Sequence, residues 1–450
     1  MQSLDRAAGV AREKVILVRV VLNQESSSEQ PLAELSGLAD TAGARVVGEL
    51  VQRREQPDMT TYLGRGKVTE LKALVDHHDA DMVIFDNDLN PAQIRNLEEA
   101  LKVKVLDRTE LILDIFATSA RSYESRLAVE LAQLEYSLPR LKRMWTHLSR
   151  IKAGIGMRGP GEKQLEVDRR LVEKRIHDLR EELRGIERRK ERLVASRHDR
   201  LTVSLVGYTN AGKSTLMNTL TGAGVLAADK LFATLDTRTR RWQLDNWGPV
   251  LLSDTVGFIR DLPHGLVHSF KATLEEARQA DLLLHVADAS NPEVLEQISA
   301  VYKVLQELHI EEKDTLLVLN KCDRVADRGD LARIFTRYPH AIAISAATGD
   351  GLRNLQAGVS EALSRSFADL DIEASVGNGR LLADLAAHGE VLEKSYTDDN
   401  RVIIHARLPQ RHLGVLRQDD VTAKPHETTY PESVHEPARL NVIDPIEEVA

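Results

Sequence analysis

The chain has 450 residues and a formal net charge of −9, with 29% charged and only 4% aromatic residues. That length suggests about three domains; no apolar run approaches the ~18 residues of a membrane span, and the N-terminus lacks a secretory pattern, so an integral membrane or exported protein is not expected. Its single cysteine, Cys322, excludes an intrachain disulfide framework and a Cys-rich zinc site.

Residues 15–22 predict a strand, Leu32–Ala42 a helix, Arg45–Val51 a strand, Lys67–His77 a helix and Met82–Phe85 a strand. Asn90-Pro91 opens a helix through Leu101, ahead of the strand Val103–Leu106. This alternation implies a small open parallel sheet with helices on its faces, over residues 1–117. Gly64-Arg65-Gly66-Lys67 sits ahead of one helix. A tight turn with a surface lysine accounts for it better than a second anion site.

From Ser122 the period changes to helix. Leu127, Leu131, Leu134, Leu138, Leu141 and Trp145 recur as a heptad seam, with Pro139 expected to kink the helix near Glu135. Leu165, Val172, Ile176, Leu179, Leu183, Ile186 and Leu193 form a second seam. Residues 118–200 are therefore expected to fold back as an antiparallel helical hairpin. Its tip is the glycine-rich stretch Ala153–Gly161, flanked by Lys152 and Lys163 and containing Arg158. Glycines this dense cannot build a core, but they allow close backbone approach to a partner. Between Arg140 and Arg200, 19 Lys/Arg stand against 10 Asp/Glu, a local +9 on an acidic chain. A basic segment of this kind points to a polyanion met at one place, and a solvated charged face is the plainer alternative for the stalk.

Residues 201–366 carry the chemistry. Val203–Val206 is a buried strand leading into Gly207-Tyr208-Thr209-Asn210-Ala211-Gly212-Lys213-Ser214, the spacing of a phosphate-binding loop ahead of a helix. Gly207 and Gly212 let the backbone wrap a polyphosphate, so that amides and the helix N-terminus face the anion. Lys213 is expected at the β/γ-phosphates and the Ser214 hydroxyl on Mg²⁺. Val250–Leu252 leads to Asp254-Thr255-Val256-Gly257. There Asp254 would hold Mg²⁺ through water, and the Gly257 amide would meet the γ-phosphate. Asn320-Lys321-Cys322-Asp323 follows the strand Leu316–Leu319. A carboxylate there accepts from both guanine N1–H and the 2-amino group, which adenine cannot match, so GTP is selected over ATP. Ser345-Ala346-Ala347 offers a backbone amide to the guanine O6, and Thr234 is placed to close on Mg²⁺ as a switch threonine. Lys213, Thr234 and Gly257 are the expected catalytic groups, with Ser214 and Thr234 as metal ligands. Where a water-orienting glutamine often stands, this chain has Phe258, so unaided hydrolysis should be slow.

Residues 367–417 suggest a small α+β domain, with a helix at Arg380–Ala387 and strands at Val391–Tyr396 and Arg401–Leu408. Residues 418–450 are polar, aperiodic and expected to be disordered. The fold class is thus α/β: a P-loop GTPase domain preceded by a small parallel α/β domain and a helical hairpin, and followed by a small α+β domain.

Three stretches resemble the HflX family of translational GTPases: Gly154–Arg170, Asp107–Phe116, and Phe232-Ala233-Thr234-Leu235-Asp236. The likeness runs over roughly residues 15–415, although the family's loops usually carry Thr where Lys163 stands. It implies a cytoplasmic, monomeric GTPase, able to associate peripherally with membrane, that binds GTP and GDP with Mg²⁺ and puts Phe232–Asp236 at the nucleotide. It also implies binding to ribosomal RNA of the large subunit, not DNA, with the hairpin tip near the peptidyl-transferase centre and splitting or rescue of stalled ribosomes under stress. Some members also hydrolyse ATP through the N-terminal region. A regulatory GTPase whose hairpin binds a protein effector, and an RNA-remodelling NTPase, are the competing readings; the basic glycine-rich tip favours RNA.

Overall fold

The computed structural model describes residues 13–22, 30–140, 161–195, 201–222, 231–232, 234–235, 237–244, 248–260, 276–307, 310, 314–325, 328–365, 367–397, 399–416 and 420–426, the ends of the helix 161–195 as backbone. They fall into two units, Met1–Leu363 and Ser364–Ala450.

The first unit opens with four parallel strands in the order β2-β1-β3-β4: β1 Lys14–Leu22, β2 Arg45–Arg54, β3 Met82–Phe85 and β4 Lys104–Asp107. The apolar runs of the inner strands β1 and β3 reflect burial on both faces, whereas the edge strand β2 is mixed in polarity with only Leu50 fully buried. Val15, Leu17, Met82 and Ile84 pack under helices α1 (Ala33–Ala42) and α4 (Arg108–Ser119). Ile16, Val18, Val83 and Phe85 face α2 (Arg65–His78) and α3 (Pro91–Leu101). Helix α3 starts where expected because Asn90 caps the amides of Ala92 and Gln93, while Gln93 returns a bond to the Asn90 amide. Gly64-Arg65-Gly66-Lys67 is not a turn ahead of the helix: Gly64 is the N-cap and Arg65–Lys67 are already the first turn of α2, with Lys67 paired to Glu70 at 2.8 Å and the Gly64 amide donating to Gln52.

Helix α4 was not expected from periodicity, because seven of its twelve residues are buried and it shows no polar stripe. It follows β4 directly, with Asp107 accepting from the Glu110 amide.

Helix α5 (Tyr123–Ser137) packs on α6 (Gly161–Ala195) through Leu127, Leu131, Ile176, Leu179 and Leu183, the inner positions of the two seams. Arg175–Glu130 and Arg180–Glu135 pairs, at 2.8 and 2.7 Å, tie the two helices. The expected kink near Glu135 is a termination instead. Pro139 removes a donor and its ring crowds the preceding turn, so the helix stops at Ser137 and tightens into a 3₁₀ turn, Leu138–Arg140. Leu141, Trp145 and the tip residues up to Pro160 lie outside the described residues.

The second sheet has the order β10-β9-β8-β5-β7-β6: β5 Thr202–Gly207, β6 Arg238–Leu244, β7 Gly248–Asp254, β8 Leu282–Asp288, β9 Thr315–Asn320 and β10 Ile342–Ala343. Only the pairing of β6 with β7 is antiparallel. Strands β5, β7, β8, β9 and β10 run parallel, so the segments after β5, β7, β9 and β10 emerge at the same sheet end. Ligands of open α/β sheets bind there. One apolar cluster joins Leu35, Phe116 and Val129 to Tyr208, Phe232, Val256 and Phe258. This shared core is why the segments expected as separate domains before residue 363 form one unit.

In the second unit the antiparallel sheet β12-β13-β11-β14 carries helix Gly379–His388 over Ile372, Ala374, Val402, Ile404 and Ala406. Its strands are β11 Phe367–Ser375, β12 Glu390–Thr397, β13 Arg401–Pro409 and β14 Thr422–Pro425. Strand β14 corrects the expectation of disorder from residue 418. It is an exposed edge strand held by its ladder to β11, with no apolar alternation for a sequence reading to find. Residues 427–450 lie outside the described residues.

Candidate active site

The loop between β5 and helix α7 (Lys213–Thr221) needs glycine at two points. At Gly207, φ is 149° and a Cβ would stand 2.1 Å from the Val286 carbonyl oxygen. At Gly212, φ is 93° and a Cβ would meet the Asn320 side chain at 2.3 Å. The Lys213 ammonium is buried beneath the loop and donates to the carbonyls of Gly207 and Tyr208 at 3.0 and 2.9 Å. Burial pushes its pKa down to about 8. Gly257 closes the other wall; a Cβ there would lie 2.8 Å from Thr209 Cα and 3.1 Å from the Lys213 nitrogen.

Three oxygens meet beside Lys213. Ser214 Oγ donates to Asp254 Oδ2 at 2.6 Å, Thr234 Oγ1 donates to the same oxygen at 3.2 Å, and the two hydroxyls are 2.8 Å apart. Asp254 is fully buried, and burial raises its carboxyl against the pull of Lys213. Its Oδ1 is buried with no hydrogen-bond partner. Two hydroxyls and a carboxylate with an unused oxygen are a donor set suited to a hard divalent cation such as Mg²⁺.

The base end is organised by Asn320. Its Nδ2 donates to the Ala211 carbonyl at 2.8 Å and its Oδ1 accepts the Ala346 amide at 2.9 Å. It therefore clamps the phosphate loop to the segment after β10. A base oxygen arriving at Ala346 would share or replace that acceptor. Lys321, in the left-handed region at φ 61°, pairs with Asp288 at 2.7 Å. Asp323 is exposed on the rim of the same cavity, which encloses about 240 Å³.

Three family models cover most of the chain. Residues 29–117 match the GTP-binding GTPase N-terminal family, 119–197 the GTP-binding GTPase middle region, and 202–321 a family described as 50S ribosome-binding GTPase. A GTPase HflX from Lacrimispora saccharolytica is 45% identical over 407 residues, covering 90% of this chain and 95% of that one. The GTPase HflX of Escherichia coli is 44% identical over 402 residues, covering 89% and 94%. That of Magnetococcus marinus is 47% identical over 389 residues, covering 86% and 90%. The chain belongs to the HflX family. As an HflX-family GTPase it hydrolyses GTP, and its central sheet is a P-loop fold.

Of the residues expected at the nucleotide, Thr209, Asn210, Gly212, Lys213, Ser214, Phe232, Thr234, Thr255 and Gly257 line the phosphate side of the cavity. Asn320, Lys321, Asp323, Ala346 and Ala347 line the base side. Others serve the frame. The Thr255 hydroxyl also holds the Leu205 carbonyl at 2.6 Å, while Leu235 and Val256 are core residues. Cys322 packs behind the motif with its thiol on the Leu319 carbonyl, and burial raises that thiol. The Ser345 hydroxyl accepts the Thr348 amide, shaping the loop. Ala233 and Asp236 lie outside the described residues. Thr215 and Arg324, each adjacent to a motif residue, also line the cavity and were not foreseen.

Phe258 is buried in the apolar cluster, and its backbone bridges to Gly207 and Thr209, so its ring is no part of the cavity wall. Further off, the HflX-family GTPase carries a polar network whose pairing no motif spacing gives, although Arg108 and Tyr208 lie in stretches already singled out. Tyr208, inside the phosphate loop, donates its hydroxyl to Glu34 of α1 and accepts the Arg260 amide at 2.7 Å. Arg108, at the start of α4, bonds Glu34 at 3.0 Å, Asp86 at 2.6 Å and the Arg260 carbonyl at 3.2 Å. Arg260 in turn reaches Glu34 and Asp86, each at 3.4 Å. Near Thr234, Phe232 stacks edge-on against Phe116 with centroids 4.6 Å apart, and the Leu231 amide donates to Thr41. Both segments that border the phosphate end are thus held by the N-terminal sheet and its helices.

Proposed function

We propose that this GTPase acts in the cytoplasm on the large ribosomal subunit, as a monomer, and that its GTP cycle splits or rescues stalled ribosomes under stress. The observation that carries this reading is the match of residues 202–321 to 50S ribosome-binding GTPases within an HflX-family chain. The docking of the segments around Thr234 and Gly257 onto the N-terminal sheet supports it, since that contact gives nucleotide state a route to a second surface.

In this reading the loop amides and Lys213 hold the phosphates, and Gly257 lets the γ-phosphate approach the backbone. Asp323 reads the base. Ser214 and Thr234 would hold Mg²⁺ directly, with Asp254 behind them through water. Held there, such a cation would offset the charge that develops on the phosphates. Phe258 faces the core and offers nothing to the attacking water, so docking on ribosomal RNA completes the site. The basic hairpin 118–200 is the contact, which makes binding salt-sensitive.

Phosphate release with and without large subunits at low salt tests this. Subunits should raise the rate about 10²–10⁴-fold, against the roughly 10³–10⁵-fold that an arginine finger supplies in other GTPases. Sedimentation should show retention with a non-hydrolysable GTP analogue but not with GDP. Absence of stimulation by any ribosomal particle would favour a protein effector of the hairpin.

A further inference from the structure

The second unit holds a cluster that the nucleotide chemistry does not use. Asp371, His405 and His426 each bring a metal-competent atom within 4.8 Å of the others. Strand register puts them together. Asp371 on β11 pairs with His405 on β13, and on the other side the His426 amide, one residue past β14, donates to the Asp369 carbonyl at 2.9 Å. Ile372, Ala374, Ile404 and Ala406 point into the core under helix Gly379–His388. The alternate residues Asp369, Asp371 and His405 therefore share the opposite face.

On that face Asp369 Oδ1 lies 2.7 Å from His405 Nε2, and Asp371 Oδ1 lies 2.8 Å from His426 Nδ1. The two imidazoles stack with centroids 3.6 Å apart and planes inclined by 15°. Arg407 reaches Asp369 at 3.5 Å, and Lys424 stands opposite Asp371 in the β11–β14 register. A carboxylate on one nitrogen of a histidine fixes the ring and raises the basicity of the other, the arrangement found behind metal-binding histidines. Two imidazoles and a carboxylate suit zinc, cobalt or nickel rather than Mg²⁺.

We propose that Asp371, His405 and His426 bind one divalent cation of the zinc class, and that it pins the end of β14 to the sheet. The cation takes the place of the proton between His426 and Asp371, and water fills the remaining position. Zinc with bonds of about 2.0–2.1 Å sets its donors roughly 3.4 Å apart, so the Asp371–His426 pair at 2.8 Å opens by about 0.6 Å and atoms as far as 4.8 Å apart close by up to about 1.4 Å. All three side chains are half-buried. Strand β14 gains most, because its four residues are exposed and its ladder to β11 is on one side alone among the described residues.

The test is titration of metal-stripped, full-length protein with Co²⁺ in excess Mg²⁺, which occupies oxygen-rich sites in the GTPase domain. One equivalent should give the strong visible absorption of four-coordinate cobalt, be displaced by Zn²⁺, and weaken at least tenfold in His426→Ala and Asp371→Asn. His340→Ala, at an exposed position in the other unit, should leave it unchanged. His426 lies after the last described strand, so its loss does not threaten the fold, and Zn²⁺ should raise the melting temperature of the second unit in the wild type but not in His426→Ala. No four-coordinate absorption, or weak multi-equivalent binding that persists in both variants, overturns the proposal.

Discussion

The link between the phosphate loop and the N-terminal sheet can be broken at a single oxygen. Tyr208→Phe keeps the buried ring but removes the hydroxyl that donates to Glu34 and accepts the Arg260 amide at 2.7 Å. A hydrogen bond to a charged group contributes about 1.5–3 kcal/mol, and a buried amide left unpaired costs a further ~1 kcal/mol or more. Glu34 keeps Arg108 at 3.0 Å and Arg260 at 3.4 Å, so its carboxylate is not stranded, and the expected net loss sits at the low end of that sum, about 2.5 kcal/mol. Glu34→Gln weakens the same contact from the other side and also loosens Arg108. Because the residues touch, the double variant should lose at least ~1 kcal/mol less than the sum of the single losses. Urea unfolding followed by tryptophan fluorescence gives the four stabilities. If the network also carries nucleotide state, Tyr208→Phe should change the ratio of GTP-analogue to GDP affinity by about tenfold, within the usual range of coupling energies. Additivity within about 0.5 kcal/mol, together with an unchanged affinity ratio, would refute the reasoning.

The buried Lys213 costs the nucleotide-free fold stability. Its pKa is depressed to about 8, so the cost is full below pH 8 and fades towards the ordinary lysine value near 10.5. Lys213→Met should therefore abolish hydrolysis while stabilising the empty protein by about 1–2 kcal/mol at pH 7, with the gain vanishing by about pH 10.5 in denaturant titrations. His285, buried on β8 and pushed down to about 3 by burial and then by Lys213, stays neutral in the fold. Its contribution is complete above pH 6.5 and is lost as pH falls towards 3, at up to ~1.4 kcal/mol per unit. His285→Leu should accordingly lose about 2 kcal/mol less than wild type between pH 6.5 and 5, and equal losses would place His285 in a wetter site. Asp323→Asn should weaken GTP by about 2–4 kcal/mol and improve xanthosine triphosphate, whose C2 carbonyl needs a donor. Unchanged GTP affinity in a labelled-nucleotide titration would remove Asp323 from base recognition.

What could be read from the sequence was local. The loop from Gly207 to Ser214 announces itself because a polyphosphate demands glycines and a lysine at fixed spacing, and those demands are met within eight residues. Strand β3 and helix α3 were equally legible, one as a short apolar run and the other through its Asn90 cap and Pro91. What stayed hidden depends on partners far along the chain. Helix α4 shows no amphipathic period, because Phe116 is covered by Phe232 and Arg108 by Glu34, Asp86 and Arg260. Seen alone, Arg108 is an ordinary polar residue at a helix start; its burial makes sense only once the GTPase sheet supplies the Arg260 carbonyl. Strand β14 has four exposed residues, and only the β11 ladder makes it a strand. Asn320 shows the same limit inside a motif. Its type is legible as part of a base-reading sequence, yet its side chain joins Ala211 to Ala346 and so sets the spacing between the two halves of the cavity. An Asn320→Ala variant would then weaken both ends of the nucleotide together. Motif spacing reports which groups a ligand needs, and the tertiary contacts decide which of those groups touch it and which hold the others in place.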